Sequence, residues 1–257
     1  GALSDKLGRR KPFIAAGVLD GAERVFGLHT AHDLRSGTVG LKPGLNNAAV
    51  DHFRIEVHGK STHVSTPHLG TDALYIASQI VVAVQGLVTR MTSPTEPVII
   101  GIGCLNAGTT YNAVAEHAVM EGTTRTVSQE SRDRIRRLVT ETADSIAAIY
   151  GGTAEIVWTD FAAALINDAE VCREAAAVAD SLLGEGHVVT DRELSLSGDN
   201  FAEFELYRPG AYAYLGTGNP DKPHTVVSNH NGGFDVDEDA LVTGAALYAG
   251  YALARLG

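Results

Sequence analysis

Residues 51–74 read DHFRIEVHGKSTHVSTPHLGTDAL. Phe53, Ile55 and Val57 alternate with polar neighbours, the period-two pattern of a strand with one buried face. A polar stretch holding His63 and His68 follows. Then Leu74, Ala77, Ile80, Val81, Val84, Leu87 and Val88 recur at helical spacing between Thr71 and Met91, an apolar stripe on one side of a helix.

The pattern continues in the same style. EPVIIGIGCL (96–105) reads as a short buried strand and HAVMEGTTRTV (117–127) as a second, with the turn-rich NAGTTYN (106–112) between them. Ser128 is placed to cap a helix whose buried face carries Ile135, Leu138, Val139, Thr142, Ile146 and Ile149 and which stops at Gly151-Gly152. TAEIVWT (153–159) adds a last strand. The order β-α-β-β-α-β predicts a ferredoxin-like sheet covered by two helices.

The flanks predict something else. A helix ending near AAGVLDGA (15–22) leads into the apolar strand RVFGLH (24–29). Beyond the ferredoxin-like unit come a helix from Asp168 to Leu183, the strand GAYAYLG (210–216) and a helix from Asp237 to Leu256. Helices alternating with apolar strands point to an α/β sheet with helices packed on it. The expected organisation is an α/β body built from residues 1–47 and 163–257, with a ferredoxin-like domain inserted at 48–162.

The chain has 257 residues, 44% hydrophobic and 20% charged, with a net charge of −11. These values suit a globular protein, and without a Lys/Arg-rich run to neutralise phosphates no nucleic-acid partner is expected. No apolar h-region and no uninterrupted apolar run near ~20 residues is seen, so no membrane partner is expected. Cys104 and Cys172 are expected to be buried, reduced thiols, in keeping with a cytoplasmic protein. The apolar helix and the unpaired edges of a small sheet predict a homodimer through the inserted domain.

Local patterns nominate candidate residues without settling their roles. His29 is expected at the end of an apolar strand, where an open α/β sheet presents functional side chains to a cleft; a carbonyl-bonded structural histidine would look the same. His230 precedes Gly232-Gly233 and an acidic run, Asp235, Asp237, Glu238 and Asp239, that suits the start of the last helix. Asp199-Asn200, in SGDNFAEF (197–204), fits an Asx-turn or a site. Phosphate loops, a nucleophile elbow and paired CxxC motifs are missing from the sequence.

Taken together, AAGVLDGAERVFGLH (15–29), GTVGLKPG (37–44), residues 53–74, GTTYNAV (108–114), MEGTTRT (120–126), SGDNFAEF, PGAYAYLGTGNP (209–220) and HNGGFDVDEDAL (230–241) resemble the M20 metallopeptidases. The likeness is to their amidohydrolase branch: hippurate hydrolases, N-acyl-amino-acid amidohydrolases and auxin-conjugate hydrolases. It implies an α/β catalytic domain, partial here, with an inserted ferredoxin-like lid that makes a dimer. It also implies two divalent metal ions (zinc, manganese or cobalt), and a small N-acylated amino acid or peptide as substrate. His29 and His230 match metal ligands. His63 matches a catalytic lid histidine that stabilises the oxyanion across the dimer interface, and His68 a structural loop residue. Asn112 and Arg125 match lid residues that hold the substrate's carbonyl or carboxylate.

The chain also departs from that pattern. The family's early ligands lie upstream of the first residue, and its Glu-Glu pair falls on Ser4-Asp5. Asp5 remains a candidate ligand, whereas the Ser4 hydroxyl cannot serve as a base near neutral pH. The expectation is therefore an amide hydrolase incomplete in this chain; the alternative is an inactive pseudoenzyme or a dimerising ligand-binding protein of the same fold.

Overall fold

The computed structural model describes residues 19–256. The first expected helix, Ser4 and Asp5 lie outside the described residues.

In chain order the strands β1 (Val25–Arg35), β2 (Val39–Gly40) and β3 (Gly44–Asn47) come first. They are followed by β4 (Ala49–His58), α1 (Ala73–Met91), β5 (Ile99–Ala107), β6 (His117–Thr126), α2 (Gln129–Ile149) and β7 (Thr153–Ala162). Last are β8 (Leu165–Asn167), α3 (Ala169–Leu183), β9 (Val188–Val189), the single turn α4 (Ala202–Glu205), β10 (Gly210–Gly218) and α5 (Asp239–Leu256). The chain divides into two compact units. One, the lid, is Ala48–Ala164 with Leu196–Gly198. The other, the body, is everything else.

The lid sheet runs β5-β6-β4-β7 and is antiparallel throughout, which is the ferredoxin-like order. Phe53, Ile55 and Val57 face Gly122, Met120 and Ala118 across the β4–β6 ladder and are fully buried. A Cβ on Gly122 would stand 2.3 Å from Phe53 Cζ, so glycine here lets the phenyl ring lie over the neighbouring strand. The Asp72 side chain caps α1 by accepting from the Leu74 and Tyr75 amides, and Ser128 caps α2 by accepting from Ser131 N–H. Ile76, Ala77, Ile80, Val84 and Leu87 of α1 meet Ile135, Val139, Ala143 and Ala147 of α2 over the sheet. Under this layer Asp51, 1% exposed, accepts from Arg132 Nε at 2.8 Å and Arg136 Nη2 at 2.8 Å.

Three expectations change here. Leu74, expected on the buried stripe, is exposed, and with Tyr75, Val82 and Met91 it leaves the other side of α1 apolar. With apolar residues on both sides, α1 reaches the length and mean hydropathy of a membrane span, although Ser78, Gln79, Gln85 and Arg90 interrupt the apolar run and its inner face is committed to the lid core. Cys104 is exposed, because the register slips between Ile102 and Cys104 on edge strand β5 and turns it outward opposite Glu121; Cys172 is buried as expected. Ile149, at the last turn of α2, is also exposed.

The body sheet runs β1-β10-β2-β9, with β1 and β10 parallel. Helices α3 and α5 pack on β10 and on each other around Val171, Ala175, Ala213, Leu247 and Tyr251. Asp168 caps α3 through the Glu170 and Val171 amides. Separately, β3 and β8 form a two-stranded antiparallel ladder in which Asn47 stands opposite Leu165. The buried Asn167 side chain donates to the carbonyls of Lys42 and Tyr212 and accepts from Tyr212 N–H, tying this ladder to β10.

Candidate active-site residues

His29 does not end its strand. β1 continues to Arg35, and His29 pairs with Tyr214 of β10 just before the ladder becomes irregular after Ala31. Its ring centroid stands 6.0 Å from Tyr212 and 6.1 Å from Tyr214, and Nδ1 meets the Thr30 carbonyl at 2.7 Å. A carbonyl only accepts, so Nδ1 carries the proton and neutral His29 keeps a lone pair on Nε2. That is the arrangement in which an imidazole ligates a metal while its far nitrogen is anchored.

His230 lies in an exposed turn with φ of 65°, the left-handed region that non-glycine residues rarely occupy. Its neighbour Asn229 donates to the same Thr30 carbonyl at 3.5 Å, and Asn229 Oδ1 is buried without a partner among the described residues. One carbonyl thus links the segments bearing both expected histidine ligands. Neutral imidazole nitrogens of this kind are donors suited to zinc, manganese or cobalt. The third expected ligand, Asp5, is outside the described residues.

The neighbouring residues have structural work. Asp199 makes the Asx-turn, accepting from Phe201 N–H at 2.7 Å, and its other oxygen accepts from Tyr212 OH at 2.8 Å. Burial first, then the Asp199 hydrogen bond, raise Tyr212 well above the ordinary phenol range. Asp237 is more than a helix-start charge. It is buried, accepts from Lys222 Nζ at 2.6 Å and Asn219 Nδ2 at 2.8 Å, and these bonds hold it down to about 2.

In the lid, His63 and Asn112 are brought together. His63 bridges to Ala113, and Val64 N–H donates to the Asn112 carbonyl at 3.1 Å. The His63 ring is exposed, and its Nδ1 accepts from Ser65 N–H at 3.1 Å and contacts Ser65 Oγ at 2.7 Å. An amide only donates, so here the lone pair is on Nδ1 and the neutral ring carries its proton on Nε2. His68 sits in the 3-10 turn Pro67–Leu69, exposed.

Arg125 is not with them. It lies at the far end of β6, on the outward face, donating to the Leu196 and Thr124 carbonyls and to Thr123 Oγ1. These acceptors are neutral, so they orient the guanidinium without cancelling its charge. His117 and Arg125 lie eight positions apart along the strand, roughly 27 Å at ~3.4 Å per residue.

Residues 49–167 match the M20 peptidase dimerisation domain. The chain is 35% identical over 244 residues to thermostable carboxypeptidase 1 of Saccharolobus solfataricus, covering 95% of this chain and 61% of that protein. It is 35% identical over 229 residues to the N-acetyl-L-cysteine deacetylase of Bacillus subtilis, covering 89% and 53% respectively. A dinuclear metal binding peptidase of the M20 family from Bacillus subtilis superposes with a TM-score of 0.74 at 31% identity, over 92% of this chain and 58% of that one. The match to the dimerisation domain takes in residues 49–167, and over most of its length the chain is similar to proteins of the M20 family. It spans between 53% and 61% of the length of these two curated relatives.

Proposed function

We propose that this chain forms part of a metal-dependent hydrolase that cleaves the amide bond of N-acyl amino acids or small peptides. The observation that carries the reading is the pair of opposite tautomers. His29 keeps its Nε2 lone pair for a cation, and His63 keeps its Nε2–H for an oxygen. His29 and His230 would hold the ion, together with Asp5. Bound there, a divalent ion supplies Lewis-acid activation of water and of the amide carbonyl.

This chain's own residues have distinct tasks. His63 donates Nε2–H to the carbonyl oxygen as negative charge builds on it in the transition state. Asn112, beside it, holds the same end of the substrate, and Arg125 takes the carboxylate of the amino-acid product. The length of β6 supports a homodimer. His63 and Asn112 cannot reach the substrate that Arg125 of the same lid holds, because no N-acyl amino acid spans that distance. Two copies arranged so that the Arg125 end of one lid meets the His63 end of the other remove the difficulty. The exposed apolar side of α1 and the free edge of β5 are the surfaces suited to such pairing.

The test is turnover. The protein in a form containing the family's upstream ligands, loaded with zinc, manganese or cobalt, should release free amino acid from N-acetyl and N-benzoyl amino acids. A chelator should abolish the activity. A metal-loaded dimer that binds such compounds without hydrolysing them would instead indicate a ligand-binding pseudoenzyme.

A further inference from the structure

Outside the residues already assigned, the lid sheet carries a second cluster of ligating side chains on its open face. β4 and β6 are the two inner strands, each paired on both sides. His58 and His117 stand directly opposite in their ladder, and Glu56 lies two residues back from His58 on the same face. Side chains from these positions converge because residues i and i+2 of a strand share a face and cross-strand partners sit within about 5.5 Å.

The contacts bear this out. His117 Nε2–H donates to Glu56 Oε2 at 3.1 Å, and the His58 and His117 rings stack at 5.2 Å with 30° between their planes. One ligating atom from each of the three lies within 4.8 Å of the others, close enough to share a metal ion. The other Glu56 oxygen is engaged by Arg54, which leaves a single oxygen turned toward the histidines. A simple ion pair accounts for Glu56 and His117. It leaves out His58, which is half-buried, makes no side-chain hydrogen bond among the described residues, and is nonetheless stacked against the pair.

We propose that Glu56, His58 and His117 form a divalent-cation site of two imidazoles and one carboxylate, suited to Zn2+ or a first-row neighbour. Metal–ligand bonds of about 2.0–2.2 Å put tetrahedral ligand atoms about 3.4 Å apart, so small side-chain rotations close the site. On binding, the cation takes the place of the proton shared by Glu56 and His117, and that proton leaves to solvent. Three protein ligands leave a coordination position for water. An ion there clips β4 to β6 and stabilises the lid by an amount that rises with the logarithm of the free ion concentration above Kd. The proposal is independent of the hydrolase reading.

The test uses the chain with His29→Ala and His230→Ala, so that body ligation is disabled, and Zn2+ and Co2+ alone as probes. Equilibrium dialysis with elemental analysis should find one bound equivalent of Zn2+, and Co2+ should give the visible absorption of a four-coordinate site. Adding His117→Ala or His58→Ala should weaken binding at least tenfold and remove the Zn2+-dependent rise in melting temperature. His52→Ala, on the same face but outside the triad, should change neither. Equal binding with and without His117, equal loss in the His52 variant, or no bound equivalent in the parent would each overturn the proposal. Circular dichroism of each variant without metal confirms that the exposed-face substitutions leave the fold intact.

Discussion

Ser65 donates its backbone N–H to Nδ1 of His63 across 3.1 Å, and this one bond decides which nitrogen of His63 can act as a donor. The donor is Nε2–H, the group needed to stabilise an oxyanion. In the complete enzyme, His63→Ala should lower kcat by about a hundredfold or more, near 3 kcal/mol of transition-state stabilisation, with metal content unchanged. His68→Ala, at an exposed position, should shift stability by no more than about 0.5 kcal/mol and leave kcat alone. Loss of metal from the His63 variant, or undiminished turnover, would refute the assignment.

The separation of His63 from Arg125 along β6 yields a complementation experiment. Homodimers of His63→Ala and of Arg125→Ala should both be nearly inactive. Mixing them under conditions of subunit exchange should restore activity, because a mixed dimer holds one site with both residues intact. If each lid served its own body alone, every site in the mixture would lack one residue and nothing would return.

Asp51 holds Arg132 and Arg136 in the lid interior, where Arg132 is only 2% exposed. Asp51→Asn removes the buried carboxylate that both arginines share and leaves them the more exposed Asp160, and it should cost about 3 kcal/mol in urea denaturation. Replacing Asp51 and Arg132 together by apolar residues of similar volume should recover part of that loss, because Arg136 keeps Asp160 as its partner.

Glu205 gives a pH signature. Burial pushes its carboxyl up to about 7, only partly offset by the Ile166 N–H that it accepts at 2.9 Å, and the Asp168 charge adds to the rise. The folded state therefore favours the protonated form. That contribution is complete below the ordinary carboxylate range and is lost as pH rises through 7. Glu205→Gln keeps an acceptor for Ile166, so its stability relative to the parent should increase between pH 5 and 8, by at most about 3 kcal/mol. Parallel melting curves across that range would show that Glu205 does not titrate there.

The lid was legible in the sequence because its signals are local. Alternation in β4, the α1 and α2 stripes and the Ser128 cap each report one element, and their order names the topology. The body was less so. Strands as short as β2 and β9 carry no periodicity of their own and exist through pairing with β10 or with each other. His29 looked like the end of a strand because the sequence turns polar after it, yet pairing with β10 carries β1 onward. The tautomers of His29 and His63 had no sequence signal, since each depends on one backbone group next to the ring. Exposure of Cys104 depended on a ladder slip that no residue pattern announces.

The β3–β8 ladder sets Asn47 opposite Leu165, so the long excursion from Ala48 to Ala164 leaves the body and re-enters it at one point, apart from the short return of Leu196–Gly198. Topologically, everything from Ala48 to Ala164 is the loop of a hairpin whose stem belongs to the body. Closing a loop costs little more as it lengthens, and the stem is fastened by Asn167 whatever the loop contains. The body is thus built to tolerate exchange at this position: a short turn, or an unrelated small domain with adjacent termini, could be spliced between Asn47 and Leu165 without breaking a body strand.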